Sequence, residues 1–294
     1  NALSQASRLL SIPADELAYQ DITISKYLDQ QTQLDMYNTI KNDEFFEDKN
    51  NLGIGLIVDN NSRGVEAFCS KNDIDLFTFR RQPASIIKPL VSYAPAIDMG
   101  LAHPLSPILD EKTTFGDYAP SNYHNSWAGW TNIEDSLIHS YNIPAVKLLD
   151  LVGVDNACKY LKSMDFEIDK NDMNYPLALG GMTYGTTMLE LVGSYCTLAN
   201  LGEYKPISFI RTIKGNDISW NNSSSVSKQV FKPTTAYFVN NMLQNCTKNG
   251  TARKLNSFDF DICSKTGTNS AKDKNFNTDA YNVSYTSEHT IAIH

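Results

Sequence analysis

Ser85 and Lys88 stand three positions apart in RRQPASIIKPL, between Pro83 and Pro89. A serine hydroxyl is a poor nucleophile until a base takes its proton. Lysine can be that base when burial or a second cation depresses its pKa. Residues three apart on a helix share a face, with Cβ atoms roughly 5–6 Å apart. Proline is tolerated in the first helical turn, so Pro89 predicts a helix that begins near Ser85. A helix start offers free backbone N–H groups and a positive dipole end, and both can stabilise an oxyanion. Alone, the pair is a chance-level match, and a solvated surface pair explains it more simply.

Two further stretches carry the same chemistry. Ser140-Tyr141-Asn142 closes the helical run IEDSLIHS and precedes Ile143-Pro144. A hydroxyl there could relay a proton, and the Asn142 amide could hold a peptide group. Its simpler explanation is a helix C-terminal turn, where asparagine tolerates the left-handed conformation. Lys265-Thr266-Gly267-Thr268 follows FDICS, which reads as a strand. Glycine within a strand often marks a close approach by ligand or backbone. A strand edge offers hydrogen bonds to an extended peptide. The Lys265 ammonium with the Thr266 and Thr268 hydroxyls suits a carboxylate. Lys265 would also lower the pKa of Lys88, because like charges disfavour each other.

These residues need elements to hold them. GIGLIVDNNSRGVEAFCS reads as a hairpin turning at Asn60–Gly64. The middle of the chain is helical in pattern: IPAVKLLDLVGV, then DNACKYLKSM with Asp155 as N-cap, then TTMLELVGSYCTLANLG with a capping threonine, then KPTTAYFVNNMLQNCTKNG. SFIRTIKG returns to a strand pattern, and FDICSKTGT, AYNVSYT and HTIAIH read as consecutive antiparallel strands. Strands near both ends with helices between predict an α+β fold, one sheet enclosing a helical middle. Residues 1–50 are polar and mostly helical, and end in the acidic run NDEFFEDKN; they read as a linker or lead-in before a domain over 51–294.

The bulk numbers narrow the classes. The 294 residues are 41% hydrophobic with a net charge of −8, enough to bury a sizeable core and unlike the basic surplus of a nucleic-acid binder. The five cysteines are scattered without a CxxC, which predicts small buried thiols and no zinc site. The five histidines form no HExxH pair, so neither a metal nor another cofactor is expected. No apolar run reaches the ~18–20 residues of a membrane span. Both ends look cut, NALSQASRLL opening mid-pattern and HTIAIH stopping on a strand.

A helix start, a helix-end loop and a strand, in that order, is the arrangement of the Ser-x-x-Lys acyl transferases. The sequence resembles the transpeptidase domain of penicillin-binding proteins, more narrowly the bifunctional class A type. PASIIKP matches the nucleophile motif, with Ala84 where the family usually has glycine. APSNYHNSWAGWTNIEDSLIHSYNIPAVKLL matches the region of the second motif. LALGGMTYGTTMLELVGSYCTLANLGEY matches the glycine-pair segment and its helix. ELAYQDITISKYLDQQTQLDMY resembles the linker from a glycosyltransferase domain. In NTDAYNVSYT, Asn282 and Ser284 replace an expected aromatic and glycine, a departure at the groove rim.

The resemblance implies a five-stranded antiparallel sheet flanked by helices, plus a helical subdomain. It implies a serine D,D-transpeptidase that cross-links peptidoglycan stem peptides through an acyl-enzyme on Ser85, with a D-alanyl-D-alanine donor, an amine acceptor and β-lactams as acylating inhibitors. Ser85, Lys88, Ser140 and Lys265 would be catalytic; Asn142, Thr266, Gly267 and Thr268 would bind substrate. Oxyanion donors would be the Ser85 and Thr268 N–H groups. It also implies a place on the bacterial cell surface, outside the cytoplasmic membrane, with membrane attachment only through a missing N-terminal anchor. The family adds a C-terminal helix beyond the final strand, so the C-terminus reads as truncated. The alternatives are a D,D-carboxypeptidase or β-lactamase on the same fold, or a non-catalytic β-lactam sensor. The deacylating glutamate of class A β-lactamases has no counterpart in setting at Glu167 or Glu190.

Overall fold

The structure is a computed structural model that describes residues 2–17, 19–42, 44, 51–270 and 277–294. The acidic run at 42–50 therefore lies mostly outside the described residues.

Five antiparallel strands form the main sheet: β1 (Ile54–Asp59), β2 (Val65–Ser70), β3 (Cys263–Ser270), β4 (Asn277–Tyr285) and β5 (His289–Ile293). Their order is β3-β4-β5-β1-β2, so strands from the two halves of the chain meet where β5 pairs with β1, Thr290 opposite Val58. This is the α+β sheet that the sequence pattern anticipates. Leu56, Val58 and Val65 face the main core. A one-residue bulge between Ile57 and Val58 turns Ala67 and Cys69 to the opposite face, where Met36 and Ile40 cover them. All five cysteines are buried free thiols.

Helices α1 (Ile133–Ile138), α2 (Asn142–Val152), α3 (Met188–Ala199) and α4 (Pro233–Asn249) fill the core side. Thr187 caps α3 through a reciprocal box with Glu190, worth about 1 kcal/mol. α3 buries nine of its twelve residues, from Met188 to Leu198, as befits a helix apolar on nearly all faces. One expected cap is corrected. The helix Val154–Ser163 starts from Gly153 at φ +81°, and Asp155 lies in its first turn. That glycine ends α2 and opens the next helix, so a two-sided break decided the boundary rather than a side-chain cap.

Residues 1–50 include the helices Ala2–Leu10 and Gln30–Lys41 and the strand Ile22–Lys26. That strand pairs antiparallel with Ile210–Gly215, and Ala6 and Leu17 pack against Ile210 and Ile213.

Candidate active site

The segment that carries Ser85 is not the plain α-helix start that Pro89 suggests. Ala84–Ile87 form a 3₁₀ turn, Pro89–Tyr93 a wider turn closed by Ala94 N–H to Pro89 C=O, and Ala94–Asp98 an α-helix. The reason is local. In an α-helix residue 89 would donate to the Ser85 carbonyl, and proline has no N–H. Lys88 N–H takes that carbonyl instead, one residue earlier. In a 3₁₀ turn residues i and i+3 eclipse, which puts Ser85 and Lys88 on the same side of the turn.

Ala84 enters this turn at φ +51°, a left-handed conformation that costs an alanine roughly 1–2 kcal/mol. Neighbours on several sides enforce it. Arg81 exchanges backbone bonds with Thr186 (3.0 and 2.8 Å), and its guanidinium meets Asp279 at 2.7 Å. The Gln82 side chain accepts from Met182 N (2.9 Å) and donates to Met182 O (2.5 Å), while Asn269 donates to Gln82 O (2.9 Å). Gly180, at φ +87°, lies so close that a Cβ would sit 2.5 Å from Ala84 N.

Lys88 is fully buried, and its Nζ lies 2.6 Å from Asn142 Oδ1, 2.7 Å from Ser140 O, 3.2 Å from Tyr141 O and 3.3 Å from Ser140 Oγ. Lys265, also fully buried, donates to Ser140 Oγ (2.8 Å) and Thr266 O (2.8 Å). Ser140 holds its hydroxyl between the two amines from a left-handed backbone, φ +57°. The left-handed residue after α1 is thus the serine, and Asn142 begins α2.

Burial is the largest cause that lowers the Lys88 pKa well below a free amine's, and Lys265 adds to it; Asp110 opposes. Burial brings Lys265 to about 8. The arrangement can therefore keep Lys265 charged near neutral pH while Lys88 gives up its proton more readily.

β3 is the edge strand beside the Ser85 turn. A Cβ on Gly267 would lie 3.0 Å from Ile86 Cγ2, 3.1 Å from Ile86 N and 3.2 Å from Pro83 O. Glycine is there because the strand runs against the backbone of the turn. Thr268 is exposed, and Thr266 hydrogen-bonds to Thr251 Oγ1 at 2.7 Å. The sequence reading assigned nothing to Thr251. Asn282 and Ser284, the departures in β4, both hydrogen-bond to Ser264 Oγ (2.9 Å each), so a polar patch replaces the expected aromatic. The Glu190 carboxylate is taken up by Arg80 and by the Thr186 and Thr187 hydroxyls, and Glu167 pairs with Arg80 at 2.7 Å.

The fold and this triple grouping define a class, and comparison with known proteins agrees. The family described as the penicillin binding protein transpeptidase domain matches residues 46–291, and the chain belongs to it. Among its relatives, penicillin-binding protein 1F of Bacillus subtilis is 32% identical over 302 residues, covering 99% of this chain and 42% of the relative. Penicillin-binding protein 4 of the same organism is 35% identical over 193 residues, covering 64% of this chain and 30% of the relative. The chain thus spans less than half the length of either. The solved structure of the penicillin-binding protein PonA1 from Mycobacterium tuberculosis superposes with a TM-score of 0.84 at 19% identity, over 99% of this chain and 80% of that one. No described helix is long and apolar enough to cross a membrane.

Proposed function

We propose that residues 51–294 form a serine D,D-transpeptidase domain that acts on peptidoglycan stem peptides outside the cytoplasmic membrane, with residues 1–50 as its lead-in. The observation that carries this reading is the meeting of Lys88 and Lys265 on the Ser140 hydroxyl, with Lys88 one 3₁₀ turn along from Ser85.

In this reading neutral Lys88 takes the Ser85 proton as Oγ attacks the carbonyl of the penultimate D-alanine. Charge collects on the carbonyl oxygen, which the N–H groups of Ser85 and Thr268 stabilise. The C–N bond breaks, and the proton passes from Lys88 through Ser140 to the departing amine of the terminal D-alanine. An acceptor amine then attacks the Ser85 ester, returning its proton by the same route, and the peptide cross-link releases Ser85. Asn142 holds the donor amide, and Lys265 with Thr266 and Thr268 holds the donor carboxylate, while Gly267 lets the edge strand lie against the turn. A β-lactam enters the same first step: its ring C–N bond breaks, the nitrogen takes the proton and the adduct stays on Ser85. The complex of PonA1 with penicillin V, a protein of the same fold, supports this.

Intact-mass measurement after penicillin treatment tests it. The expected gain is one penicillin per chain, absent in Ser85→Ala. No gain on folded protein, or an unchanged gain in Ser85→Ala, sinks the reading. Loss of the adduct within seconds would favour a β-lactamase. The present ties of Glu167 and Glu190 to Arg80 and the α3 cap speak against that.

A further inference from the structure

A buried carboxylate stands behind the catalytic group, and no step described so far uses it. Asp110 ends the strand Pro107–Asp110 and is fully buried. Its oxygens accept from Asn122 Nδ2 (2.8 Å each), and one accepts also from Ala128 N (2.8 Å). Asn122, buried too, accepts through Oδ1 from the backbone N–H of Asn142 (2.7 Å) and of Ile143 (3.3 Å). Asn142 donates through Nδ2 to Ser121 O (2.7 Å) and accepts through Oδ1 from Lys88 Nζ (2.6 Å). A chain of contacts runs from Asp110 through Asn122 to the backbone N–H of Asn142, and the Asn142 side chain carries it on to Lys88.

Its polarity is forced. An ionised carboxylate only accepts, so the Asn122 amide must turn its nitrogen to Asp110 and its oxygen to the start of α2. The Ser121 carbonyl also only accepts, so Asn142 must turn its nitrogen there and its oxygen to Lys88. We propose that Asp110 and Asn122 are positioning residues of this site, which fix the start of α2 and so the place of Asn142, whose side-chain oxygen holds the Lys88 amine beside Ser140. The inference rests on the reading of Lys88 as the base.

The charge matters as well as the geometry. When Lys88 takes the serine proton, two ammonium groups share the site, and the Asp110 carboxylate is the buried negative charge acting on Lys88. The other titratable groups around them are Lys265, Cys246 beside it with Glu134 acting on that thiol, and Tyr93 and Tyr141 near Asp110, with Asp135 acting on Tyr141; burial raises the pKa of both tyrosines and of Cys246, so these three stay neutral at pH 7.

The test follows acylation by a fluorescent penicillin against pH, in wild type, Asp110→Asn and Asn122→Ala. Asp110→Asn removes the negative charge and leaves Asn122 free to flip. Its acid limb should move to lower pH, because Lys88 loses its proton more readily, and its plateau should fall about tenfold or more as the amine loses its place. Asn122→Ala keeps the charge and cuts the chain, so its plateau should fall with little movement of the limb. A purely structural Asp110 would lower the rate by one factor at every pH, and an unmoved limb in Asp110→Asn overturns the proposal. If Asp110→Asn melts below the assay temperature, a wild-type plateau in Asn122→Ala overturns it instead. Failure of the wild type to acylate would overturn the reading of Ser85 itself, and full acylation in Lys88→Met would overturn the base assignment, which separates these outcomes from failure of the proposal.

Discussion

Replacing Gly267 with alanine is the most direct test of how the edge strand and the nucleophile turn fit together. The added Cβ would lie 3.1 Å from Ile86 N and 3.2 Å from Pro83 O. Ordinary contact needs about 3.5 Å, so strand or turn must give by a few tenths of an ångström. The turn is the poorer candidate to move. Arg81 is tied to Thr186 and Asp279, and Gln82 to Met182. β3 must therefore retreat, at the roughly 1–3 kcal/mol of an overpacked core. A chain this long loses about 2–4 °C of melting temperature per kcal/mol, so a fall of several degrees is expected. The functional loss should be larger in proportion. The proposed oxyanion donors lie on opposite sides of this contact, Ser85 on the turn and Thr268 on the strand, and their separation would widen. Losing one well-placed donor costs about 10²–10³ in rate, and a partial displacement should cost tens-fold. Stopped-flow acylation by a chromogenic cephalosporin, with a thermal melt on the same sample, reads both effects. A variant that acylates and melts like wild type would refute the close-contact argument.

Other outcomes follow from the same geometry. Lys88→Met should abolish acylation while the protein stays folded; full acylation by intact mass would remove lysine from the base role. Acylation should rise with pH as Lys88 deprotonates and fall above about 8 as Lys265 loses its proton; a rate still rising at pH 10 would contradict the Lys265 assignment. Burial pushes the Asp279 carboxylate up, but hydrogen bonds from Arg81, Thr278 and Asn269 outweigh it and hold it below the usual range. Such a depressed group stabilises the fold above its unfolded pKa, and that stability is lost as pH falls through the folded value. Asp279→Asn should thus melt lower at pH 7, by about 1–3 kcal/mol of lost charged hydrogen bonding, and the gap to wild type should close in acid. An unchanged gap at low pH would count against it.

The three motifs were legible because each pairs a reactive type with a local structural signal: proline at a turn, a polar triplet after a helix, glycine in a strand. Asp110 and Asn122 were not, because their role arises from contact between a strand end and a helix start distant in sequence. Nothing in APSNYHN marks which asparagine is buried. Arg81 and Asp279 escaped for the same reason, their positions being separated by most of the chain. The α+β pattern was legible from the alternating strands near both ends. The exact form of the nucleophile helix was not, since proline signals the start of a helix without stating which hydrogen-bond spacing it imposes. The boundary at Gly153 shows a similar limit: a favourable cap at Asp155 lost to a glycine that could adopt φ +81°.

The change of spacing along Ala84–Asp98 also sets a rotational phase. An α-helix advances about 100° per residue, so Ser85 and Lys88 would be about 60° out of line. A 3₁₀ turn advances about 120° and brings them into line. The wider turn at Pro89–Tyr93 follows, and every residue from Ile86 to Ile97 is buried. The segment that carries the serine and lysine thus has no free face along which to slip. A single-residue insertion or deletion in it would break the alignment of Ser85 with Lys88 or displace buried side chains on every side of the segment.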